Sequence, residues 1–282
     1  MREPGTFERL LLATEHGEFD VGSEALALEL ARRGPRQLAV VIPIVSNPEF
    51  DALAPELAAE ADNAAAAKVS AIEAAARAAG VQLQMLTRHN LYRADAVIGA
   101  AEETEAELIV IRRRGKRALL TKLLVGEMVH HVLSGAPCSV LVVPRAAVPW
   151  TRGVLVGVDP VTPSTDLIEQ AAGLARASEL PLHVVTVLRH DEPQARAAAQ
   201  ALVTGLAERA RSRAVRASAE VRIGSAHEEL VAAAAARGAD LLVVTRHGSA
   251  HRFKLGNTVH KLIGLATVPV FVHHAAASGV PS

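Results

Sequence analysis

Two hydrophobic rhythms alternate along this chain. Short continuous apolar runs predict buried strands, and stripes at i, i+3, i+4 predict amphipathic helices. Leu10 to Thr14 is the first strand, ended by Glu15 and the turn His16-Gly17. Val21 to Arg33 follows as a helix, stopped by Gly34-Pro35, and Leu38 to Val45 is the second strand. Ser46 to Pro55, with two prolines, reads as a loop, and Glu56 to Ala79 as an alanine-rich helix ended by Gly80. Val81 to Thr87 alternates, which places Val81, Leu83, Met85 and Thr87 on one face of a half-exposed strand. Ala94, Val97, Ile98 and Ala101 form a helical stripe. From Ala106 to Pro144 the pattern is strand, glycine loop, helix, strand.

After a short linker, Arg145 to Arg152, the series repeats. Val154 to Val158 and Leu182 to Leu188 are strands, with the stripe Ile168, Ala171, Ala172, Ala175 between them. Pro193 to Arg213 is the long helix, Val215 to Ile223 the edge strand, and Gly224 to Gly238 the third helix. Leu241 to Thr245 is the fourth strand. Gly256-Asn257-Thr258 then opens a helix whose stripe is Val259, Leu262, Ile263, and Val268 to His274 is the last strand. Leu241 repeats Leu108 at an offset of 133 residues, whereas Gly256 repeats Gly126, and Val270 repeats Val140, at 130. Val154 repeats Leu10 at 144, so the first half carries 11 extra residues, placed mostly in Ser46 to Asp62. The chain is an internal duplication. It predicts an α/β protein of two domains, 1–146 and 151–275, each a five-stranded parallel sheet between helices with right-handed crossovers. The apolar strands Ser139 to Val143 and Val268 to His273 would be sheet edges in need of cover. Their pairing would make an intrachain pseudo-dimer, and a homodimer is the other assembly considered.

Composition narrows the function. Half of the 282 residues are hydrophobic but aromatics are 2%, so aliphatic side chains fill the cores and stacking surfaces for nucleic-acid bases are not expected. The formal net charge is zero, which gives no global field toward nucleic acid or membrane. The single Cys138 rules out an intrachain disulfide and fits a reducing compartment. The first residues lack the apolar stretch of a secretory signal, and no run approaches the ~20 residues of a membrane helix. A soluble cytoplasmic protein is expected.

Val244-Thr245-Arg246-His247-Gly248, then Gly256-Asn257, a helix, and Val268-Pro269-Val270-Phe271-Val272 resemble the C-terminal half of a universal stress protein domain. The resemblance covers nearly the whole chain twice, and its implied fold is Rossmann-like, of the adenine nucleotide alpha-hydrolase type. The family has an ATP-binding form marked G-x2-G-x9-G-S/T, with an acidic residue at the end of the first strand. It implies a site where strand order reverses, holding ATP or another adenine nucleotide, with Mg as a candidate companion ion. In the second domain this maps onto Asp159, Val187, Thr245, His247, Gly248, Gly256, Asn257 and Thr258. Thr245 stands for the first glycine and Asn257 for Ser/Thr, and the glycine loop holds seven residues rather than nine, among them Arg252 and Lys254. Asn257 and Thr258 would cap the helix start with side-chain oxygens, where free N–H groups and the helix dipole favour an anion. Against this, Asp159 could serve only its own turn.

The first domain departs further. Glu15 holds the acidic position, Arg112 replaces the first glycine and Glu127 replaces Ser/Thr, while Gly115 and Gly126 remain. A carboxylate about 4 Å from a phosphate, at an effective dielectric near 20, costs about 4 kcal/mol, or roughly a thousandfold in affinity. Arg112, Arg113, Arg114, Lys116 and Arg117 could offset it by neutralising Glu127 or the ligand, or could be a solvated loop. Binding is therefore expected mainly in the second domain. The pairs His130-His131 and His273-His274 point apart and suit no single metal, and His247 and His251 lack a partner at ligand spacing. No P-loop, nucleophile elbow or paired carboxylate predicts catalysis. The expected function is a regulatory stress protein binding an adenine nucleotide. The alternatives are a ligand-free interaction module with degenerate sites and, with no supporting signature, an adenylating ligase.

Overall fold

The computed structural model describes residues 5–33, 37–113, 126–246 and 256–274. They form two compact units. One holds 7–33, 37–113 and 126–149; the other holds 5–6, 150–246 and 256–274. The first domain runs β1 (Arg9–Ala13), α1 (Val21–Arg32), β2 (Gln37–Val45), α2 (Pro48–Leu53), α3 (Pro55–Ala78), β3 (Leu83–Asn90), α4 (Arg93–Glu103), β4 (Leu108–Arg112), α5 (Glu127–Gly135) and β5 (Ser139–Val143). Its strand order is β3-β2-β1-β4-β5, all parallel. The second runs β6 (Val154–Val158), α6 (Thr165–Ala177), β7 (Leu182–Leu188), α7 (Pro193–Arg211), β8 (Ala217–Ile223), α8 (Ala226–Arg237), β9 (Leu241–Thr245), α9 (Asn257–Leu265) and β10 (Val270–His273). Its order, β8-β7-β6-β9-β10, repeats the first with parallel pairing throughout.

Each chain of strands moves outward from β1 or β6, then reverses to β4 or β9. That reversal divides the helices between the two faces and leaves a crevice at the carboxyl ends of the first and fourth strands. In the first domain the β1–β4 ladder runs on to Ala13–Ile111. In the second, the β6–β9 ladder ends at Val156–Val243, one position earlier. There Gly157 admits Leu230 of α8: a Cβ on Gly157 would lie 2.8 Å from Leu230 Cδ1. The repeat places Ala13 and Val97 at these positions in the first domain, so side-chain volume moves from strand to helix between the halves.

Aliphatic packing dominates both cores, as the composition requires. Leu10, Leu11, Leu12, Leu108, Ile109 and Leu133 are fully buried in one, and Leu155, Leu241, Val243 and Leu262 in the other. At the opposite end from the crevice, one carboxylate closes each sheet. Glu107 accepts the Glu8 N–H at 2.7 Å just before β1, and the Arg9 guanidinium at 3.1 Å. Asp240 stands at the repeat-equivalent position and accepts the N–H groups of Thr151, Arg152 and Gly153 at 2.8 to 3.1 Å. Burial pushes the Asp240 carboxyl up, but these donors outweigh it and hold the group below its usual range.

Three local expectations are corrected. The stretch 46–55 is not wholly a loop: α2 forms inside it, with Asn47 Oδ1 accepting the Glu49 N–H at 3.1 Å. Pro48 and Pro55 begin α2 and α3, where a missing N–H costs nothing, so prolines that read as breakers are starters. The third strand begins at Leu83, two residues late, and runs to Asn90, because nine-residue β2 offers partners up to Val45–Asn90. Its one buried residue is Leu86, on the face opposite to Leu83, Met85 and Thr87, while Val81 is buried outside the strand. The turn Gly34-Pro35 lies outside the described residues. No described helix is long and apolar enough to cross a membrane.

The helices also set a test of packing. A Cβ on Gly22 of α1 would stand 2.7 Å from the carbonyl oxygens of Pro144 and Arg145, whereas one on Gly205 of α7 would meet nothing within 4 Å. Gly22→Ala is therefore expected to destabilise by about 1–3 kcal/mol through overpacking against backbone. Gly205→Ala is expected to stabilise by about 0.5–1 kcal/mol through helix propensity. Urea unfolding of the two variants checks the opposite signs.

Candidate functional site

The two crevices have equivalent positions and unlike contents. In the first domain β4 ends in Arg112, which is 7% exposed. Its guanidinium bridges the switch point, with Nη2 2.8 Å from Glu15 Oε2 and Nη1 donating to Asp20 Oδ2 at 2.7 Å. Asp20 is fully buried. It directly precedes α1, where an aspartate ordinarily caps, yet it makes no side-chain cap; its Oδ2 instead takes the Gly17 N–H at 2.8 Å and Arg112. Burial raises the Asp20 carboxyl above its usual value; the Gly17 N–H and Arg112 oppose this, while Glu24 and Glu15 add to it.

The turn around the cluster is itself ordered by polar contacts. Thr14 Oγ1 donates to Glu24 Oε1 at 2.6 Å and accepts the His16 N–H at 2.8 Å, and His16 Nδ1 lies 3.1 Å from Glu24 Oε1. His16 has a left-handed φ of 49°. Arg93 Nε approaches Glu15 Oε1 at 3.4 Å from the start of α4. Of the roles open to Arg112, the structure shows pairing with Glu15 and Asp20 rather than with Glu127. Strand alternation aims Arg112 at the α1 face, where two carboxylates lie within reach, and Glu127 stands exposed at the first position of α5. Arg114, Gly115, Lys116 and Arg117 lie outside the described residues.

In the second domain Thr245 replaces Arg112, and the crevice holds no such bridge among the described residues. Asp159 follows β6, and its Oδ1 accepts the N–H groups of Val161 at 2.8 Å and Thr162 at 3.4 Å. Thr186 Oγ1 donates to the Val158 carbonyl at 2.8 Å and ties β7 to the crevice floor. Val187, the next residue on β7, is half-buried. Thr245 is half-buried and pairs with His273 on β10. The Gly256 N–H donates to the Arg246 carbonyl at 3.2 Å, which brings the two ends of the glycine loop together beside β9. His247, Gly248, His251, Arg252 and Lys254 lie outside the described residues.

The start of α9 differs from expectation. Gly256 is the N-cap, with φ −63° and ψ 138°, and no side chain among the described residues caps the helix. Asn257 and Thr258 lie inside the first turn and are exposed, so their side chains do not satisfy the end. A glycine cap supplies no side-chain acceptor of its own to the first-turn N–H groups. The structure thus joins Thr245, Arg246 and Gly256 in one hydrogen-bonded corner, sets Asp159 at the neighbouring strand end and Val187 one strand beyond, and puts Asn257 and Thr258 at the rim.

Two further groups at this corner carried no signal for a binding role in the sequence. Arg246 is 4% exposed. His273 has both ring nitrogens buried without a hydrogen-bond partner among the described residues. Burial holds its imidazole down at about 4; Asp166 opposes this, and His274 and Arg246 reinforce it. No group of three or more His, Cys, Asp or Glu among the described residues could hold a metal.

Comparison with known proteins places these features in a family. A family model described as the universal stress protein family matches residues 6–144 and again 151–274. The universal stress protein Slr1230 of Synechocystis sp. is 26% identical over 168 residues. That match covers 58% of this chain and 56% of the relative, so it spans little more than half of the relative's length. A universal stress protein from Archaeoglobus fulgidus superposes with a TM-score of 0.73 at 20% identity, covering 94% of this chain and 98% of its own. A functionally unknown protein from Pseudomonas aeruginosa PAO1 gives 0.68 at 17% identity, covering 95% and 93%.

Proposed function

This chain belongs to the universal stress protein family, with two tandem domains of that fold, and on this premise we propose that it is a regulatory protein that binds an adenine nucleotide in the crevice of its second domain. The observation that carries this is the uncapped start of α9 beside the switch point. Gly256 begins the helix without a side-chain acceptor among the described residues, Asn257 and Thr258 are exposed beside it, and the short Thr245 stands at the position that Arg112 occupies in the first domain. A helix N-terminus without a cap favours phosphate through its N–H groups and dipole. Thr186 and Val187 would border the nucleoside, and Asp159 would meet its sugar by turning from its own loop. A magnesium ion would be held by phosphate oxygens and water, since the described residues build no carboxylate set for it. The protein would act in the cytoplasm. The use of Asp159 in its own turn favours the second reading, a ligand-free interaction module.

The test is the small-molecule content of the purified protein. Denaturation is expected to release a single adenine nucleotide per chain. Gly256→Arg should weaken its binding roughly a hundredfold, about 2.7 kcal/mol, and Gly126→Arg should leave it unchanged. No released nucleotide, and no titratable binding of ATP, ADP or AMP at millimolar concentration, would reject the proposal and leave the interaction module.

A further inference from the structure

We infer that the first domain's crevice has inverted polarity: it is a guanidinium site, built from Glu15 and Asp20, and its resident ligand is the chain's own Arg112. The inference is independent of nucleotide binding in the second domain. Three observations carry it. The guanidinium is held as a ligand would be, by two carboxylates from one turn, Asp20 Oδ2 at 2.7 Å on Nη1 and Glu15 Oε2 at 2.8 Å on Nη2. That use of both terminal nitrogens needs a planar fork, which an ammonium lacks. Second, the site is assembled before the guanidinium is counted. Gly17 donates to Asp20, and Thr14 and His16 hold Glu24, so the turn that aims the carboxylates is fixed by bonds within itself. Gly17 also makes room, since a Cβ there would lie 3.3 Å from Asp20 Oδ2. Third, Asp20 is fully buried and its Oδ1 accepts no hydrogen bond among the described residues, so the nest keeps acceptor capacity beyond what Arg112 uses.

The sign of the site follows from its charges. Glu15, Asp20 and Glu24 supply three carboxylates against the guanidinium groups of Arg112 and Arg93 and the imidazole of His16. Without Arg112 the site loses one positive charge and keeps all three carboxylates. A phosphate brought there would face the same carboxylates, so removing Arg112 does not open a second nucleotide site. It vacates a site for a small guanidinium cation.

The experiment uses the full chain with Arg112→Ala. Methylguanidinium chloride at tens of millimolar is compared with methylammonium chloride at equal concentration. The expected result is a single saturable methylguanidinium site by calorimetry in the variant and none in the wild type. An upward shift of several degrees in the variant's Tm should accompany it, and methylammonium should not give that shift. If Arg112→Ala does not fold in plain buffer, the yield of refolded protein in the two salts is read instead, with methylguanidinium expected to raise it. The pair Glu15→Gln/Arg112→Ala, which keeps the cavity but loses half of the fork's partners, is expected to lose the effect. Equal response to both salts, or none, overturns the inference. So does ATP binding gained by Arg112→Ala in a Gly256→Arg background. Absence of nucleotide from the wild type bears on the second domain alone and leaves the methylguanidinium result standing.

Discussion

Replacing Arg112 by alanine is expected to cost the first domain about 3–5 kcal/mol, the range for removing one partner of a buried ion pair. Arg112 is 7% exposed and Asp20 fully buried, so the substitution strands carboxylates rather than exposing them to water. Burial already holds Asp20 above its normal range with Arg112 present. A raised carboxyl favours the folded state at low pH, and that contribution is lost as pH rises through the raised value. The penalty of Arg112→Ala should therefore be largest near neutral pH and shrink on acidification, when Asp20 takes a proton. Adding Asp20→Asn to Arg112→Ala should recover part of the loss, because the stranded charge goes with its partner. The single tryptophan makes the measurement domain-specific. Trp150 is buried in the second unit, with Nε1 donating to Ser178 Oγ at 3.2 Å. Urea unfolding followed by far-UV circular dichroism should shift in the variant while the Trp150 fluorescence transition stays in place. An unchanged dichroism transition would show that the bridge contributes little.

The second domain is expected to lose about 3 kcal/mol of stability between pH 6.5 and pH 4, from His273 alone. Its imidazole titrates at about 4 in the folded protein, against 6.5 when exposed. The unfolded chain therefore takes up a proton through this window and the folded one does not. The depressed value means the contribution is fully present above 6.5 and declines as pH falls toward 4. Burial is the main cause; His274 and Arg246 add to it, and Asp166 in the first turn of α6 acts the other way. The duplication supplies the control. The repeat-equivalent position in the first domain is Val143, fully buried in β5. His273→Val should leave stability near pH 7 little changed and flatten its decline toward pH 4. Trp150 fluorescence in urea at pH 7 and pH 4.5 decides it. Equal acid losses in wild type and variant would move the cause to Asp166 or other groups.

The sheets were legible because their strands are unbroken apolar runs bounded by turn residues. Ser139–Val143, Val154–Val158, Leu182–Leu188 and Leu241–Thr245 begin and end where the pattern does. Helical stripes were equally clear, and Ile168, Ala171, Ala172 and Ala175 are all buried. Reading failed where one residue type serves two purposes. Pro48 and Pro55 begin helices, and Gly256 takes the cap that Asn257 was expected to share. The strand ends that frame the crevices were legible, and the contacts made there were not. That Arg112 stands where a glycine would be is plain in the sequence. That it turns to Asp20, 92 residues earlier, rather than to Glu127 depends on which face of β4 it occupies and what α1 places there. Burial without a hydrogen-bond partner among the described residues, as at His273, has no signature in a linear pattern.

The carboxylates beneath the two sheets have a consequence for biosynthesis. Glu107 grips Glu8 across 99 residues, and Asp240 grips Thr151 across 89. Each central strand, β1 or β6, also waits for β4 or β9 before both of its edges are paired. Neither half can seal on the ribosome until most of its own length has emerged, and closing so long a loop is entropically slow. During that interval an aliphatic strand stands with one edge unpaired. The nascent chain is then open to capture by another copy, and translation speed through each half sets how long that exposure lasts.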